Sequence, residues 1–345
     1  MAVTSLSSIG ASVDSNAPSR QHHPQAHRSR LLSAGLLTAC TGGRDQVAPT
    51  GSPPAVKVPS ASAAPNRPQR NAAYHVLSGE VEPTCKVAAV AAMSAALTWR
   101  PGERGLDLPV RLRRIGCPPA LATDMQPLVD DHLSSIVEII YPQYGGLGDR
   151  HTEASVMLVA RQTWEPAHGR PAETRELTLD MRLRRSGRRW IATRALVPTL
   201  PKPAVRLDAD AGRLLRNDAV VLPAAAQADV RGDVVDPRVI RLLEALSRSW
   251  RVHVQVLKSG HPNNVYGTRR LSNHTLGQAV DVWAIDDMPI VAHRRSVCSA
   301  VMREASRLQA DKIGGPIDVD GRAGRPPYFT NDVHKDHVHV GFEAR

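Results

Sequence analysis

The sequence predicts an α+β chain of two folded domains behind a long N-terminal tail. Length is the first observation: 345 residues, 42% of them hydrophobic, suffice for two cores at roughly 100 to 200 residues per domain. Order is the second. Between residues 72 and 200 helical spacing gives way to the alternating segments of a hairpin, and between 205 and 345 helices and strands follow in turn. The third is that two C-terminal strands carry apolar backs and ionisable fronts, as expected of a small antiparallel sheet flanked by helices. The net charge of +11 is spread out, with seven basic against two acidic residues in 1–71, 17 against 14 in 72–204 and 20 against 17 in 205–345. No domain has the concentrated basic field of a nucleic-acid binder, so nucleic acid is not an expected partner.

In the tail, "LLSAGLLTAC" at 31–40 is apolar but far too short to span a bilayer, and Arg28 and Arg30 precede it as a positive flank. This is the layout of a signal segment over 1–40. Leu37-Thr38-Ala39-Cys40 resembles a bacterial lipobox, which implies export, lipidation of Cys40 and anchorage to the outer face of a bacterial cytoplasmic membrane. Residues 41–71 are rich in Pro, Ser, Ala and Gly and hold few large apolar side chains. Such a segment buries too little surface to offset its ordering entropy and reads as a disordered tether.

The domain at 72–200 is predicted to hold helices near 86–98 and 120–140, then strands near 154–164, 175–184 and 189–197. "RLRRSGRRW" at 182–190 is its densest basic run, and the Ser-Gly pair inside marks it as a solvated hairpin tip. Cys85 and Cys117 both fall here, and an oxidising compartment would make a bridge between them plausible. Helices followed by a curved antiparallel sheet resemble the nuclear-transport-factor and cystatin-like folds, by element order alone. That implies an accessory module for binding or spacing. "TLPKPAV" at 199–205 is the expected boundary.

From 205 to 345 the reading sharpens. "DPRVIRLLEALSRSW" opens with an Asp-Pro helix start and repeats apolar residues at Val239, Leu242, Leu243 and Leu246. "RVHVQVLKSG" alternates as a strand. "VAHRRSVCSAVMREASRLQA" has helical spacing and places Cys298 as a buried thiol. In "QAVDVWAI" Val280, Val282 and Ala284 form one face, leaving Asp281 on the other beside small Ala279, after a turn at Gly277. In "DHVHVGF" Val338, Val340 and Phe342 alternate with His337 and His339.

A carboxylate facing a cavity must be paired or must bind metal. His274, Asp281 and His339 are oxygen and nitrogen donors suited to zinc, and three protein ligands leave a position for water, as in catalytic sites. Asp336, three residues before His339, is the expected base. "SNHTLGQAVD" matches the Ser-x-His-x-x-Gly-x-Ala-x-Asp motif of the D-alanyl-D-alanine carboxypeptidase and dipeptidase family, and "DHVH" resembles its second motif. The wider group includes lysostaphin-type and murein endopeptidases and the hedgehog domain. The resemblance covers roughly 230–345. It implies zinc held by His274, Asp281 and His339, general-base catalysis by Asp336, and hydrolysis of peptidoglycan stem peptides as a D,D-carboxypeptidase or endopeptidase.

Departures from the family pattern bear on the site. Relatives place Tyr-Arg after a Ser-Gly pair to hold the substrate carboxylate, whereas Ser259-Gly260 is followed by His261-Pro262. Arg269 or Arg270, with Ser272, would take that part. His337 occupies the place of a catalytic His in lysostaphin-type relatives, a second candidate base assigned an orienting or oxyanion-stabilising role. "DVDGRAG" at 318–324 lacks the ligands of a calcium loop and reads as a turn. His261, His293 and His334 read as loop or surface residues. The rival class is a zinc-containing binding protein of the same fold without turnover, in which a base such as Asp336 would have no use. A Cys40→Ala variant is expected to lose its lipid adduct and leave the membrane fraction; wild-type protein recovered wholly soluble, without an acyl mass, would refute the lipobox.

Overall fold

A computed structural model describes residues 74–148, 150–166, 170–322 and 324–344. Segment 1–73, with Cys40 and the linker, lies outside the described residues. Among these, no helix is long and apolar enough to cross a membrane. The architecture is α+β.

The N-terminal half starts with α1 (Pro83–Leu97), α2 (Leu108–Arg114) and α3 (Pro119–Met125), followed by β1 (Ser134–Leu147), β2 (Glu153–Glu165), β3 (Glu173–Ser186) and β4 (Arg189–Leu196). The strands form one antiparallel meander in chain order. The helix expected over 120–140 stops at Met125. Pro127 cannot donate the next helical hydrogen bond, and β-branched Ile136, Val137, Ile139 and Ile140 favour the pleated strand they enter. Pro142 is tolerated because β1 is an edge strand, irregular between Ile139 and Tyr141. The basic hairpin is a solvated tip, with Arg184, Arg185, Arg188 and Arg189 exposed and Gly187 at φ +58° in the turn.

Apolar residues of α1, among them Ala89, Met93 and Leu97, pack on Val156, Leu158, Leu179 and Met181 of the sheet. Cys85 and Cys117 correct the expected disulfide: both are free, buried thiols. They face different strands. Cys85, in the first turn of α1, lies in the electrostatic reach of Tyr144 on β1, whereas Cys117 takes a backbone hydrogen bond from Ala192 on β4.

The C-terminal half runs α4 (Ala209–Leu214), β5 (Val220–Val221), α5 (Ala224–Arg231), α6 (Pro237–Leu246), β6 (Val252–Val256), β7 (Ala279–Ile285), β8 (Met288–Pro289), α7 (Arg295–Arg307), β9 (Lys312–Gly314), β10 (Tyr328–Phe329) and β11 (Val338–Gly341). Its sheet has the order β10-β9-β11-β7-β6-β5, with β8 paired to β7. The centre is antiparallel as expected, but the outer pairs β5–β6 and β9–β10 are parallel, so the sheet is mixed. Asp236 caps α6 by accepting from the Arg238 N–H at 2.8 Å, ahead of Pro237 in the first turn. Leu243 and Leu246 of α6 and Val301 and Met302 of α7 share a core with Val280, Val282, Val338 and Val340. Cys298 is buried there, its thiol pushed up to about 11 by burial.

Each half therefore has its own core, and they meet through polar contacts. Gln255 on β6 is fully buried and donates to the carbonyls of Tyr141, at 3.2 Å, and Met157, at 3.0 Å. Trp283, on the ionisable face of β7, stacks on Tyr141 with centroids 4.6 Å apart. The face of β7 that carries Asp281 is thus covered by β1 of the other half.

Candidate metal and catalytic site

Register brings the expected ligands together. On the antiparallel pair β7–β11, His339 stands opposite Asp281, and Val338 and Val340 oppose Val282 and Val280 in the core. Alternation sends both ionisable side chains to the other face. His274 arrives from the tight turn 272–277. There the Ser272 hydroxyl accepts from the His274 N–H at 3.3 Å, and Asn273 ties the turn to the Phe342 carbonyl at 2.6 Å. Gly277 closes the turn at φ +71°, where a Cβ would run into the Val234 carbonyl.

His274 Nδ1 lies 2.6 Å from the Leu257 carbonyl, which can only accept, so Nδ1 carries the proton and Nε2 offers a lone pair. Nε2 is 3.1 Å from Asp281 Oδ1 and 3.2 Å from His339 Nδ1, and His339 Nδ1 is 2.9 Å from the same carboxylate oxygen. Three donor atoms so form a triangle. Ligands 2.0–2.1 Å from a tetrahedral metal lie about 3.3 Å apart, so a small expansion separates this triangle from a coordination sphere. A cation at the centre of the three atoms would be matched by all of them. The other oxygen of Asp281 accepts from Gln143 Nε2 of β1 at 2.7 Å. Burial would raise the Asp281 carboxyl, yet the imidazoles of His274 and His337 and the hydrogen bonds to it hold it well below the usual range.

Two further histidines join the site. His261 stacks on His274 with centroids 3.9 Å apart, and its ligand atom lies within 4.8 Å of those of His274 and Asp281, so these three also form a group able to hold a metal ion. His334 stands 4.9 Å from the His337 ring and 5.7 Å from that of His339. Both lie outside the long helices and strands, His261 in a loop and His334 in the 3-10 turn Val333–Lys335, but they face the site instead of solvent, whereas His293 lies elsewhere, against the Ile285 carbonyl. His261 did carry one signal, its place directly after the Ser259-Gly260 pair. That loop is anchored by buried Asp229, which accepts from the Lys258 and Ser259 N–H groups at 3.0 and 2.8 Å.

Asp336 is placed differently from expectation. It is 1% exposed and both oxygens are taken: Oδ1 by His337 Nδ1–H at 2.7 Å, Oδ2 by the Tyr144 N–H at 3.0 Å and by Lys86 Nζ at 2.6 Å. Burial would raise this carboxyl, but Lys86 and His337 hold it below its ordinary value. A carboxylate so saturated is a poor proton acceptor. His337 instead turns Nε2 toward the cluster, 3.8 Å from Asp281 Oδ2. Of the pair, only His337 turns an atom toward the cluster.

The cluster floors a cavity of about 500 Å³ walled on one side by Tyr144 to Leu147 of β1 and on the others by Tyr266, Arg270, Tyr328, Phe329 and His334. Ser272 lines it, 4% exposed. Arg270 lines it too, whereas Arg269 does not, and both side chains are exposed. Asp318 and Asp320 accept from the N–H groups of Gly321 and Arg322 within their own turn.

No family model and no curated protein matches the chain. Among solved structures it is similar to an Ntf2 like protein involved in plasmid conjugation, at 12% identity over 37% of this chain and 56% of that one, with a TM-score of 0.22. The chain spans about half of that protein's length, and a likeness so slight does not bear on function.

The triangle predicts tight binding of one metal ion per chain. His274→Ala and His339→Ala are each expected to lose most of it in elemental analysis of the purified protein. A full equivalent of metal in the double variant would place the ion elsewhere.

Proposed function

We propose that the chain is a zinc-dependent peptidase acting on the stem peptides of peptidoglycan, as a D,D-carboxypeptidase or endopeptidase. The observation that carries this reading is the donor triangle of His274, Asp281 and His339 beside the Asp336–His337 pair on the floor of a peptide-sized cavity. Two nitrogens and one oxygen suit zinc, and Asp281 and His339 line the cavity. Zinc held there would polarise the scissile carbonyl as a Lewis acid and activate water.

The protein's own groups do the rest. His337, oriented by its Nδ1–H bond to Asp336, presents Nε2 to take a proton from the attacking water and return it to the leaving amine. That reverses the expected roles and matches what the resemblance ascribes to lysostaphin-type relatives. Arg270 at the cavity wall supplies a guanidinium for a peptide carboxylate. The N-terminal half is read as a nuclear-transport-factor-like domain on the order of three helices and a four-stranded meander. Export and anchorage through Cys40 would bring the enzyme to its substrate in the cell envelope.

Full-length protein incubated with defined muropeptides is expected to release D-alanine or split cross-links, identified by mass. His337→Ala is expected to keep the metal while turnover falls about 100-fold or more, the usual general-base contribution. A metal-loaded His337→Ala enzyme with near wild-type turnover would return the base to Asp336. Failure of the metal-loaded wild type on every muropeptide would refute the peptidase reading.

A further inference from the structure

Lys86 has no place in an ordinary helix packed on a sheet. It lies in "PTCKVAAVAAMSAAL", the most apolar helix of the N-terminal half, and is fully buried. A lysine in that position is expensive unless its charge is matched. Its Nζ is 2.6 Å from Asp336 Oδ2 and 2.5 Å from Glu80 Oε2, and it stands over the rings of Tyr141 and Tyr144 at 4.9 and 4.8 Å. Glu80 is fixed in turn by the Tyr74 hydroxyl at 3.1 Å.

The direction of these contacts is informative. Of the three groups on the Asp336 carboxylate, Lys86 and the Tyr144 N–H come from the N-terminal half, and only His337 comes from its own. Gln143, also N-terminal, holds the outer oxygen of Asp281. The carboxylate within the donor triangle and the one beside it are thus both held from across the domain boundary. A mere spacer would have no reason to bury a lysine there.

We infer that the N-terminal half is a working part of the site, and that Lys86 is a positioning residue that fixes the Asp336–His337 pair. By pinning Asp336 Oδ2 it leaves Oδ1 to receive the His337 Nδ1–H, and so sets the direction of Nε2. Lys86 touches neither the donor triangle nor the cavity, so its removal should leave metal and substrate binding alone. For turnover the inference rests on the peptidase reading.

The test uses full-length protein carrying Lys86→Met, which keeps the stem and removes the charge, and Lys86→Arg, which keeps the charge. Lys86→Met is expected to hold a full equivalent of metal and an unchanged KM while kcat falls about 10- to 100-fold, the usual loss when an outer hydrogen-bond partner goes. Lys86→Arg should recover part of it. The Nδ1–H proton of His337, observed by nitrogen-correlated NMR, should be sharp and downfield in the wild type and broadened or lost in Lys86→Met. Should Lys86→Met fail to fold, Glu80→Gln with Lys86→Met removes a stranded carboxylate and is read in the same way. Either variant, folded and metal-loaded, with wild-type kcat and an unchanged His337 proton would overturn the inference. A wild type without turnover whose His337 proton still responds to Lys86 would refute the peptidase reading and leave the positioning role standing.

Discussion

Two carboxylates, Asp281 and Asp336, are kept ionised inside the protein at 1% exposure each, and the rest of the structure is arranged around that constraint. An isolated buried carboxylate is too costly to remain charged, and removing one partner from a buried pair costs about 3–5 kcal/mol. Asp281 accepts from the Gln143 amide and converges with two imidazole nitrogens, whereas Asp336 is matched by an ammonium, an imidazole and a backbone N–H. The two environments give the carboxylates different work. Asp281 shares an oxygen with converging nitrogens and can hold a cation, whereas Asp336 is saturated and can only orient its neighbour.

This division explains why neither half would make the site alone. The C-terminal sheet supplies the triangle because valines on the back of β7 and β11 lock both strands into one core and fix their register. The N-terminal half supplies Lys86, Gln143, the Tyr144 N–H and a cavity wall. Close approach of the halves needs small residues where they meet. Gly260 sits against Thr178 of β3, and Gly146 of β1 admits Tyr266 of the loop that carries His261; a Cβ at either would collide.

Much of the C-terminal half was legible because its strands alternate cleanly and its helices have strong stripes. The same alternation turns Asp281 and His339 to one face, whereas His274, in a turn, is marked only by the motif that the segment resembles. What escaped lacks periodicity or depends on distant partners. His261 and His334 reach the site from loops, and β1 was masked by the apolar run that follows α3. Asp336 reads as a free carboxylate because the local sequence says nothing of the lysine some 250 residues upstream that pairs with it. Lys86 itself looks like a helix-surface residue until the partner domain is placed over it. Cys85 and Cys117 invited a bridge by sharing a domain, but they pack against different strands.

The most direct measurement is anomalous diffraction at the zinc absorption edge from crystals of the full-length protein grown with one equivalent of zinc. The account predicts one strong peak about 2.0–2.2 Å from His274 Nε2, Asp281 Oδ1 and His339 Nδ1, with Lys86 Nζ still paired to Asp336. A peak held by His261 in place of His339, or none at the centre of that triangle, would contradict it.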